Sequence, residues 1–304
     1  MRASFRHRPR PIVCLMLTAL ACPLALATPG AGQSSAAPQC KPASSLVQVR
    51  ELPEGSGLAA SRRTPGRIWS HNDSGEPVLF ALNDRGAVSA RLRLTGAKVE
   101  DWEAVAVGPC PGGACIYVGD IGDNDAERKR ITIYRVVEPA EATGDGAAVD
   151  TFHATYPDGA HDAETLLVSP DGRLFIVTKG ETGPVALYRF PRELRAGSTV
   201  RLERVGQPRE PGASGKADRI TDGSVSPDGR WTVLRSTEAL TFYRTTDLLE
   251  GRWQATSRVP VTSLKEPQGE GVAFGHDENV YLAGEGGGRS RPGTFVRLEC
   301  TLSR

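Results

Sequence analysis

The sequence of this protein is organised around Lys98-Val-Glu-Asp-Trp-Glu-Ala-Val-Ala-Val107 and the run that follows it, Cys115-Ile-Tyr-Val-Gly-Asp-Ile-Gly-Asp-Asn124. A carboxylate, Glu103, opens an apolar strand, and after a turn a second apolar strand ends in an acidic, glycine-rich loop. Val, Ile and Tyr are enriched in strands because their side chains suit a pleated, half-buried surface. The unit recurs along the chain in altered form, so we predict a fold built from repeats.

Five copies of the unit emerge when the chain is aligned on the apolar strand that precedes each turn. These strands begin at Ser56, Glu103, Glu164, Thr221 and Glu270. Two identical turns, Ser169–Gly172 and Ser226–Gly229, set the register of the third and fourth copies. Each copy continues with a second and a third apolar strand and a more polar fourth strand, such as Ser89–Leu94. Four antiparallel strands per repeat are typical of a β-propeller blade.

The last copy has room for only three strands, because 34 residues follow Glu270 in a chain of 304. We expect Ser45–Arg50, before the first copy, to supply the missing strand and close the ring. Closure would remove the open sheet edges that otherwise pair with other chains. The sequence thus predicts an all-β, five-bladed β-propeller over residues 46–304, closed by an N-terminal strand. Six blades are the alternative, if the long third or fourth copy hides a degenerate blade.

The N-terminal residues are typical of a secretion signal. A basic segment up to Arg10 precedes the apolar stretch Ile12–Leu26, and Ala25-Leu-Ala27 has the pattern of a cleavage site. The apolar stretch is too short for a comfortable membrane span. We therefore expect a signal peptide over residues 1–27 and a secreted or periplasmic protein without a transmembrane segment after its removal.

Residues 28–45 are rich in Ala, Ser, Gly and Pro, which predicts a flexible tether. Lipoprotein processing and anchoring at Cys22 is the alternative to simple cleavage. Ala19, three residues before that cysteine, stands where a leucine is usual, and this argues against lipidation.

The cysteines that remain after signal removal are Cys40, Cys110, Cys115 and Cys300. An even number in an oxidising compartment predicts disulfide bonds, with three possible pairings. Cys110 and Cys115 flank a turn between two strands, which favours a local bond and leaves Cys40 to pair with Cys300. Closing so long a loop could contribute roughly 5 kcal/mol in the chain-entropy model. A zinc site is the alternative, although the paired CxxC spacing of such sites is missing from the sequence.

In a propeller the first strand of each blade lines the central channel, and its start lies on the same face as the loop between the second and third strands. The strand starts include three glutamates, Glu103, Glu164 and Glu270. At a separation of about 7 Å, each pair of ionised glutamates would repel by roughly 2.4 kcal/mol at an effective dielectric constant near 20. Calcium, which takes six to eight oxygen ligands, would reverse this repulsion. A ring without His or Cys argues against zinc or copper. The predicted metal ligands are Ser56, Glu103, Glu164, Thr221 and Glu270. The alternatives are another metal, side chains that cap backbone N–H groups at the strand starts, or side chains that titrate to neutral.

Five motifs carry a resemblance to an exported bacterial β-propeller family with no settled activity. They are Trp69-Ser-His-Asn-Asp-Ser-Gly75, Asp101-Trp-Glu103, Gly119-Asp-Ile-Gly-Asp-Asn124, Asp162-Ala-Glu164 and Gln268-Gly-Glu270. The order of hydroxyl and glutamate residues in the ring is also similar to the calcium-activated nucleotidase (apyrase) family, which implies calcium in the channel of a five-bladed propeller. That family's Asp-Asp-Arg-Thr-Gly loop reads Asn72-Asp-Ser-Gly75 here, so its arginine is absent. The resemblance therefore supports a metal ring more than nucleotide hydrolysis.

The loops on the channel face carry further candidates of mixed charge, which would suit a phosphate-bearing or polyhydroxylated ligand beside a cation. The candidate ligand-binding residues are Asp73, Trp102, Asp120, Asp123, Asn124, Lys179, Arg235 and Glu285. Asp, Asn and Gly also form tight turns, and this is the competing interpretation of the acidic loops. If the protein is a hydrolase, the candidate catalytic residues are His71, Asp73 and His161, because a proton acceptor is needed beside a cation that polarises the substrate.

A formal charge of +1 gives no reason to expect binding to nucleic acid or to an anionic membrane. Two classes of function follow from these patterns. The first is an exported, monomeric propeller with a central calcium-type ring that binds a small-molecule or protein ligand. The second is a calcium-dependent hydrolase of phosphate esters or nucleotides. Fold alone cannot separate them, because propellers host many activities.

Overall fold

The computed structural model describes residues 37–141, 146–208, 215–277 and 279–303. The predicted signal peptide over residues 1–27 and the alternative lipidation site at Cys22 lie outside the described residues. In the described ranges, no helix is both long enough and apolar enough to cross a membrane.

The N-terminal half of the described chain forms two short strands and two blades. The short strands are β1 (Gln39–Pro42) and β2 (Val47–Val49). The first blade contains β3 (Gly55–Ala60), β4 (Ile68–Asn72), β5 (Val78–Leu82) and β6 (Val88–Thr95). The second contains β7 (Trp102–Cys110), β8 (Gly113–Asp120), β9 (Ile131–Val137) and, after β10 (Ala147–Ala148), β11 (Asp150–Thr155). Strand β10 extends the first blade by pairing in parallel with β6.

The C-terminal half forms three blades. The third contains β12 (Ala163–Val168), β13 (Leu174–Thr178), β14 (Leu187–Arg189) and, after β15 (Thr199–Arg201), β16 (Glu203–Gly206). Strand β15 pairs with β11 of the second blade. The fourth contains β17 (Ile220–Val225), β18 (Trp231–Ser236), β19 (Ala239–Arg244) and, after the helix α1 (Thr245–Leu249), β20 (Ala255–Pro260). The fifth contains β21 (Gln268–Phe274), β22 (Asn279–Glu285) and β23 (Gly293–Thr301). Short 3-10 turns lie at Lys216–Asp218 and Thr262–Leu264.

The predicted five-bladed propeller is confirmed, and the six-bladed alternative is wrong, because the described strands form five sheets. The N-terminus closes the ring as predicted. Strand β2 pairs antiparallel with β23, and its register sets Val47 opposite Phe295. Strand β1 continues the same edge, with Cys40 opposite Cys300. It lies inside the segment 28–45 that we expected to be a tether, so the sheet reaches further toward the N-terminus than the sequence indicated.

Both predicted disulfide bonds are confirmed. Cys40 is bonded to Cys300 and fastens the closing strand, and Cys110 is bonded to Cys115 across the turn between β7 and β8. The zinc alternative is therefore wrong, since these four sulfur atoms are used in disulfides.

The blades are held together by five apolar clusters, one at each interface between consecutive blades. Trp69 and Trp102 are fully buried between the first and second blades, and Trp231 is 1% exposed between the fourth and fifth. Face-to-face packing of sheets excludes water from their inner faces and provides most of the stability of such folds. The apolar clusters thus set the angle of each blade and hold the first strands around the channel.

Candidate functional site

Each innermost strand has a shifted register where the sequence predicted a ring residue. In β7, Trp102 pairs with Asp120 and Ala104 with Gly119, which leaves Glu103 between them without a partner. Glu164 and Thr221 stand at the equivalent shifts of β12 and β17. In β3 and β21 the shift spans two residues, beginning with Ser56 and Glu270. A β-bulge redirects a side chain and is common beside functional sites. The structure therefore places the five predicted ring residues at equivalent positions of the five blades.

A cavity of about 540 Å³ lies at this end of the channel. Four predicted ring residues line it, namely Glu103, Glu164, Thr221 and Glu270. The predicted loop residues that line it are Asp73, Asn124, Lys179 and Glu285. Ser56 is buried behind this surface. Its Oγ lies 3.0 Å from both the backbone oxygen and Oε2 of Glu103, so it donates its proton to one of them.

The cavity is strongly acidic. Its described lining carries eight carboxylates against three cationic side chains. Burial, followed by the charge of Glu164, raises the pKa of Glu103 well above its ordinary value. Burial and the charge of Glu270 do the same to the pKa of Glu164. At the rim, burial and neighbouring carboxylates raise the pKa of Asp73 to about 6 and that of Glu285 to about 7. The carboxylates are thus crowded, and the protein compensates their charge only in part.

Lys179, directly after β13, is the cationic side chain that reaches deepest into this group. Its ammonium forms an ion pair with Oε1 of Glu164 and lies 3.5 Å from Oδ2 of Asp162. Burial lowers the pKa of Lys179, but the charges of Glu164 and Asp162 outweigh burial and raise it above its ordinary value. Lys179 is therefore charged at neutral pH and neutralises part of the ring.

Several buried carboxylate oxygens of the site have no hydrogen-bond partner among the described residues. They are Oδ1 of Asp73, Oδ2 of Asp162, Oε2 of Glu164 and Oε1 of Glu266. A buried acceptor left unpaired is destabilising by about 1–3 kcal/mol, and more when it is charged. The described His, Cys, Asp and Glu side chains nevertheless include no group of three or more arranged to hold a metal ion. These oxygen atoms are the type of ligand that a hard cation needs. One of the carboxylates, Glu164, is paired with Lys179 instead.

The Gly119–Asn124 loop positions the acidic strand start beside it. The Asp120 carboxylate accepts the backbone N–H groups of Glu100 and Asp101, both at 3.2 Å, and pairs with Nη1 of Arg128 at 2.9 Å. A Cβ atom on Gly122 would lie 2.4 Å from Oδ2 of Asp101. Glycine therefore lets this loop pack directly against the carboxylates, and Asp120 orients the segment from behind the cavity wall.

Asp123 has a similar supporting geometry. Its carboxylate accepts the backbone N–H groups of Glu127 and Arg128 at 2.9 and 2.8 Å. Its own N–H donates to Oδ1 of Asp162 at 2.9 Å, across the interface between the second and third blades. Asp123 thus closes a turn and orients Asp162, and the neighbouring Asn124 is the residue of this pair that lines the cavity.

Besides Asp120 and Asp123, two further predicted ligand residues are buried in the framework and do not line the cavity. Arg235 donates to the backbone oxygens of Gly271 and Ala283 at 2.7 and 2.8 Å, and pairs with Glu266 at 2.5 Å. It therefore joins the fourth blade to the fifth. The Trp102 indole N–H donates to the backbone oxygen of Lys98 at 2.8 Å.

Both candidate catalytic histidines also lie outside the cavity lining. His71 is fully buried beside Trp102, and burial lowers its pKa to about 4. The Nε2 atom of His161 lies 3.0 Å from Asp158 and 2.9 Å from the Tyr188 hydroxyl.

The sequence analysis did not select seven polar residues that line the cavity, namely Asp101, Lys216, Arg219, Thr237, Glu238, Glu266 and Gln268. It also missed Asp222, which directly follows ring residue Thr221 and whose side chain reaches two other blades. Its Oδ2 accepts the backbone N–H groups of Leu58 at 3.2 Å and Val272 at 2.7 Å. An acidic residue that directly follows a predicted ring residue, within the inner strand Ile220–Val225, is a signal that could have identified Asp222.

No protein-family model and no curated protein matches this sequence. Solved structures do resemble it. The PQQ-bound aldose sugar dehydrogenase from Streptomyces coelicolor aligns with a TM-score of 0.52 at 11% identity, over 87% of this chain and 98% of that chain. A gluconolactonase from Xanthomonas campestris aligns with a TM-score of 0.45 at 11% identity, over 83% and 89%. The calcium-binding protein regucalcin from Agrobacterium tumefaciens aligns with a TM-score of 0.42 at 16% identity, over 84% and 95%. At such low identity, the similarity to the dehydrogenase extends to the β-propeller fold alone.

Proposed function

We propose that this protein is an exported β-propeller that binds a calcium-type cation in the acidic cavity and, through it, a ligand on the same face. The observation that supports this most is the set of eight carboxylates lining one cavity, with Oε2 of buried Glu164 unpaired among the described residues. A cation is the simplest group that can compensate such a set, since the interaction between opposite charges is strong where water is largely excluded.

The donor atoms suit calcium better than a softer metal. Glu103, Glu164, Glu270 and the hydroxyl of Thr221 would hold the ion, and all of them offer oxygen, which calcium prefers. Ser56, predicted as a fifth ligand, would instead orient Glu103 through its hydroxyl. Thr221 donates its proton to the backbone oxygen of Glu270 at 2.9 Å, which leaves the lone pairs of its Oγ1 available. When bound, calcium would supply positive charge and coordination positions for oxygen atoms of a ligand.

The cavity rim adds the polar groups that would orient such a ligand. Lys216 and Arg219 lie along one side and Asp73 and Glu285 also line the cavity. Basic groups suit a phosphate or a carboxylate, and acidic groups accept hydrogen bonds from hydroxyls. We therefore expect a phosphate-bearing or polyhydroxylated small molecule, bound by a monomeric propeller.

Binding is favoured over hydrolysis by the positions of the candidate proton acceptors. Neither His71 nor His161 lines the cavity, whereas Asp73 does, with its pKa raised to about 6. Of the three candidate catalytic residues, only Asp73 is therefore placed to serve a hydrolase that acts on phosphate esters or nucleotides. A screen of phosphate esters with calcium present separates the two proposals, since turnover abolished by Asp73→Asn would establish the hydrolase.

Export is supported by the two disulfide bonds, which form and persist in oxidising compartments. The N-terminal sequence pattern, which is typical of a signal peptide, also favours export. Mass spectrometry of the mature protein tests this, because a chain that begins after Ala27 supports secretion, and a lipid on Cys22 supports anchoring.

Calorimetric titration of calcium into chelator-treated protein tests the cation site. We expect one ion per chain and at least tenfold weaker binding for Glu164→Gln. The matched control is Glu203→Gln, which removes the same charge from a side chain that is 64% exposed and paired with Arg189. Equal binding in wild type, Glu164→Gln and Glu203→Gln would contradict the site, and no binding in wild type would contradict the proposed cation.

A further inference from the structure

The cavity already holds a positive charge, the ammonium of Lys179, where a cation would bind. The ammonium contacts Glu164 and lies 3.5 Å from Asp162 and 3.6 Å from Oε2 of Glu181. Its side chain is 16% exposed, and that of Glu164 is 6% exposed. One carboxylate oxygen of Glu164 is therefore paired with the lysine. The other, Oε2, is buried without a partner in the described part of the chain.

The backbone of Lys179 is held in place, so only its side chain is free to move. Its N–H donates to the backbone oxygen of Asp162 at 3.0 Å, and its own oxygen accepts the N–H of Ile220 at 2.9 Å. The next residue, Gly180, has a φ of +88°, and a Cβ atom there would lie 2.6 Å from Cγ2 of Val185. The loop is thus fixed at the interface between the third and fourth blades.

A second carboxylate is positioned to receive the ammonium. Glu181 lies closer to solvent than Glu164, with a side chain that is 30% exposed, and its Oε1 pairs with Arg219 at 2.6 Å. Its Oε2 is the atom 3.6 Å from the Lys179 ammonium. A lysine side chain has four flexible carbons and a compact charge, so it can exchange one carboxylate for another without backbone movement.

We propose that Lys179 is a resident cation of the ring, bound to Glu164 in the metal-free protein and displaced toward Glu181 when calcium binds. This inference rests on the proposed function and adds a means of regulation to it. Lys179 reduces the repulsion among the ring carboxylates while the ion is absent. It also competes with the ion, so that calcium binds only when its concentration is high enough to displace the ammonium.

Calcium titration of three variants tests this competition. Lys179→Gln removes the competing charge, and we expect its calcium affinity to rise at least tenfold. Lys179→Arg keeps the charge, and we expect its affinity to stay within about threefold of wild type. The charge control is Lys41→Gln, whose side chain is 73% exposed and paired with Glu299 at the closing seam. We expect no change in that variant, because exposed charges at long range are screened.

The outcomes separate the inference from the function on which it rests. If wild type binds calcium and Lys179→Gln gains less than tenfold, the inference is overturned and the cation site stands. If only Lys179→Gln binds calcium, the lysine is the resident cation and the proposed calcium function is overturned. If neither binds, both are overturned. An equal gain in Lys179→Arg would also overturn the inference, because the effect would then not depend on charge.

A second variant covers the case in which Lys179→Gln does not fold. Glu181→Gln removes the carboxylate that would receive the ammonium and leaves Glu164 intact. We expect at least threefold weaker calcium binding in this variant, since the displaced lysine has lost its partner. Unchanged affinity in Glu181→Gln would contradict the exchange.

Discussion

The carboxylate of Asp222 accepts the backbone N–H of Val272 at 2.7 Å, and so joins the innermost strands of the fourth and fifth blades. The same oxygen accepts the N–H of Leu58 at 3.2 Å, in the first blade. One side chain thus satisfies buried backbone groups of two other blades. Asp222 lies next to ring residue Thr221 in the channel. The closure of the ring and the geometry of the candidate site therefore both depend on strand β17, which contains Thr221 and Asp222.

Replacing Asp222 is expected to destabilise the fold. Asp222→Ala leaves two buried N–H groups unpaired, at about 1–3 kcal/mol each, so we expect a loss of about 2–6 kcal/mol in the free energy of unfolding. Asp222→Asn keeps an acceptor and should lose less than half as much, because burial raises the pKa of Asp222 and favours its neutral form. Denaturant unfolding in calcium-free buffer measures both. Equal stability of Asp222→Ala and wild type would show that these hydrogen bonds contribute nothing.

The two disulfide bonds are expected to contribute unequally. The Cys40–Cys300 bond spans 260 residues and Cys110–Cys115 spans 5. In the chain-entropy model this predicts about 5 kcal/mol for the first bond and about 2 kcal/mol for the second, as upper values. Paired Cys→Ser variants compared by thermal unfolding test the difference. A larger loss for Cys110→Ser with Cys115→Ser would contradict the role given to the closing seam.

Gly122 is expected to control the shape of the cavity wall. A Cβ atom in Gly122→Ala would lie 2.4 Å from Oδ2 of Asp101 and 2.9 Å from Cγ of Glu103. These carboxylates would have to move, and we expect at least tenfold weaker calcium binding. Gly183→Ala is the matched control, because the nearest atom to its Cβ would be Nδ1 of His161 at 3.9 Å. If both variants bind calcium as wild type does, the cavity wall does not shape the site.

The crowded carboxylates of the cavity predict how the stability of the protein and its calcium binding depend on pH. The pKa values of Asp73 and Glu285 rise from 3.8 and 4.5 to about 6 and about 7 on folding. At these two groups the folded protein binds more protons than the unfolded protein between about pH 4.5 and 7, so their contribution to the stability of the calcium-free protein falls as pH rises through this range. Calcium binding should strengthen over the same range, because it favours the ionised carboxylates.

Unfolding curves at pH 5 and pH 8 in calcium-free buffer check this dependence. Asp171 and Asp228, whose pKa values are lowered, titrate below this window. Buried His71 acts in the opposite direction, because its pKa falls from 6.5 to about 4 on folding and its contribution to stability therefore rises with pH. The combined variant Asp73→Asn with Glu285→Gln keeps His71, so we expect wild type to lose stability relative to this variant from pH 5 to pH 8. A difference between the two proteins that does not change with pH would argue against the crowding.

The blades could be predicted from the sequence because they depend on local patterns. Short apolar strands and the repeated turns Ser169–Gly172 and Ser226–Gly229 mark contacts between consecutive strands. The closing strand was placed correctly, but a further strand precedes it that the sequence did not predict. Gln39–Pro42 contains a lysine and a proline and shows no strand pattern, yet it pairs at a sheet edge, where proline is tolerated, beside the bond from Cys40.

Side-chain partners in the candidate site could not be predicted, because they join loops of different blades. The ion pair of Lys179 with Glu164 depends on the bulge at Glu164 and on the backbone bond to Asp162. Arg235 was expected in the ligand site because it follows a second strand, but its long side chain reaches Gly271 and Ala283 in the next blade. Such contacts follow from the twist and stacking of sheets, which a sequence pattern does not encode.

A crystal structure of the mature protein grown with calcium is the most direct test of the cation site. We predict an ion bound by Glu103, Glu164 and Glu270, with oxygen atoms at about 2.3–2.6 Å, and the Lys179 ammonium moved from Glu164 to Glu181. A structure at saturating calcium with no ion in the cavity, and with Lys179 still paired with Glu164, would contradict the proposal.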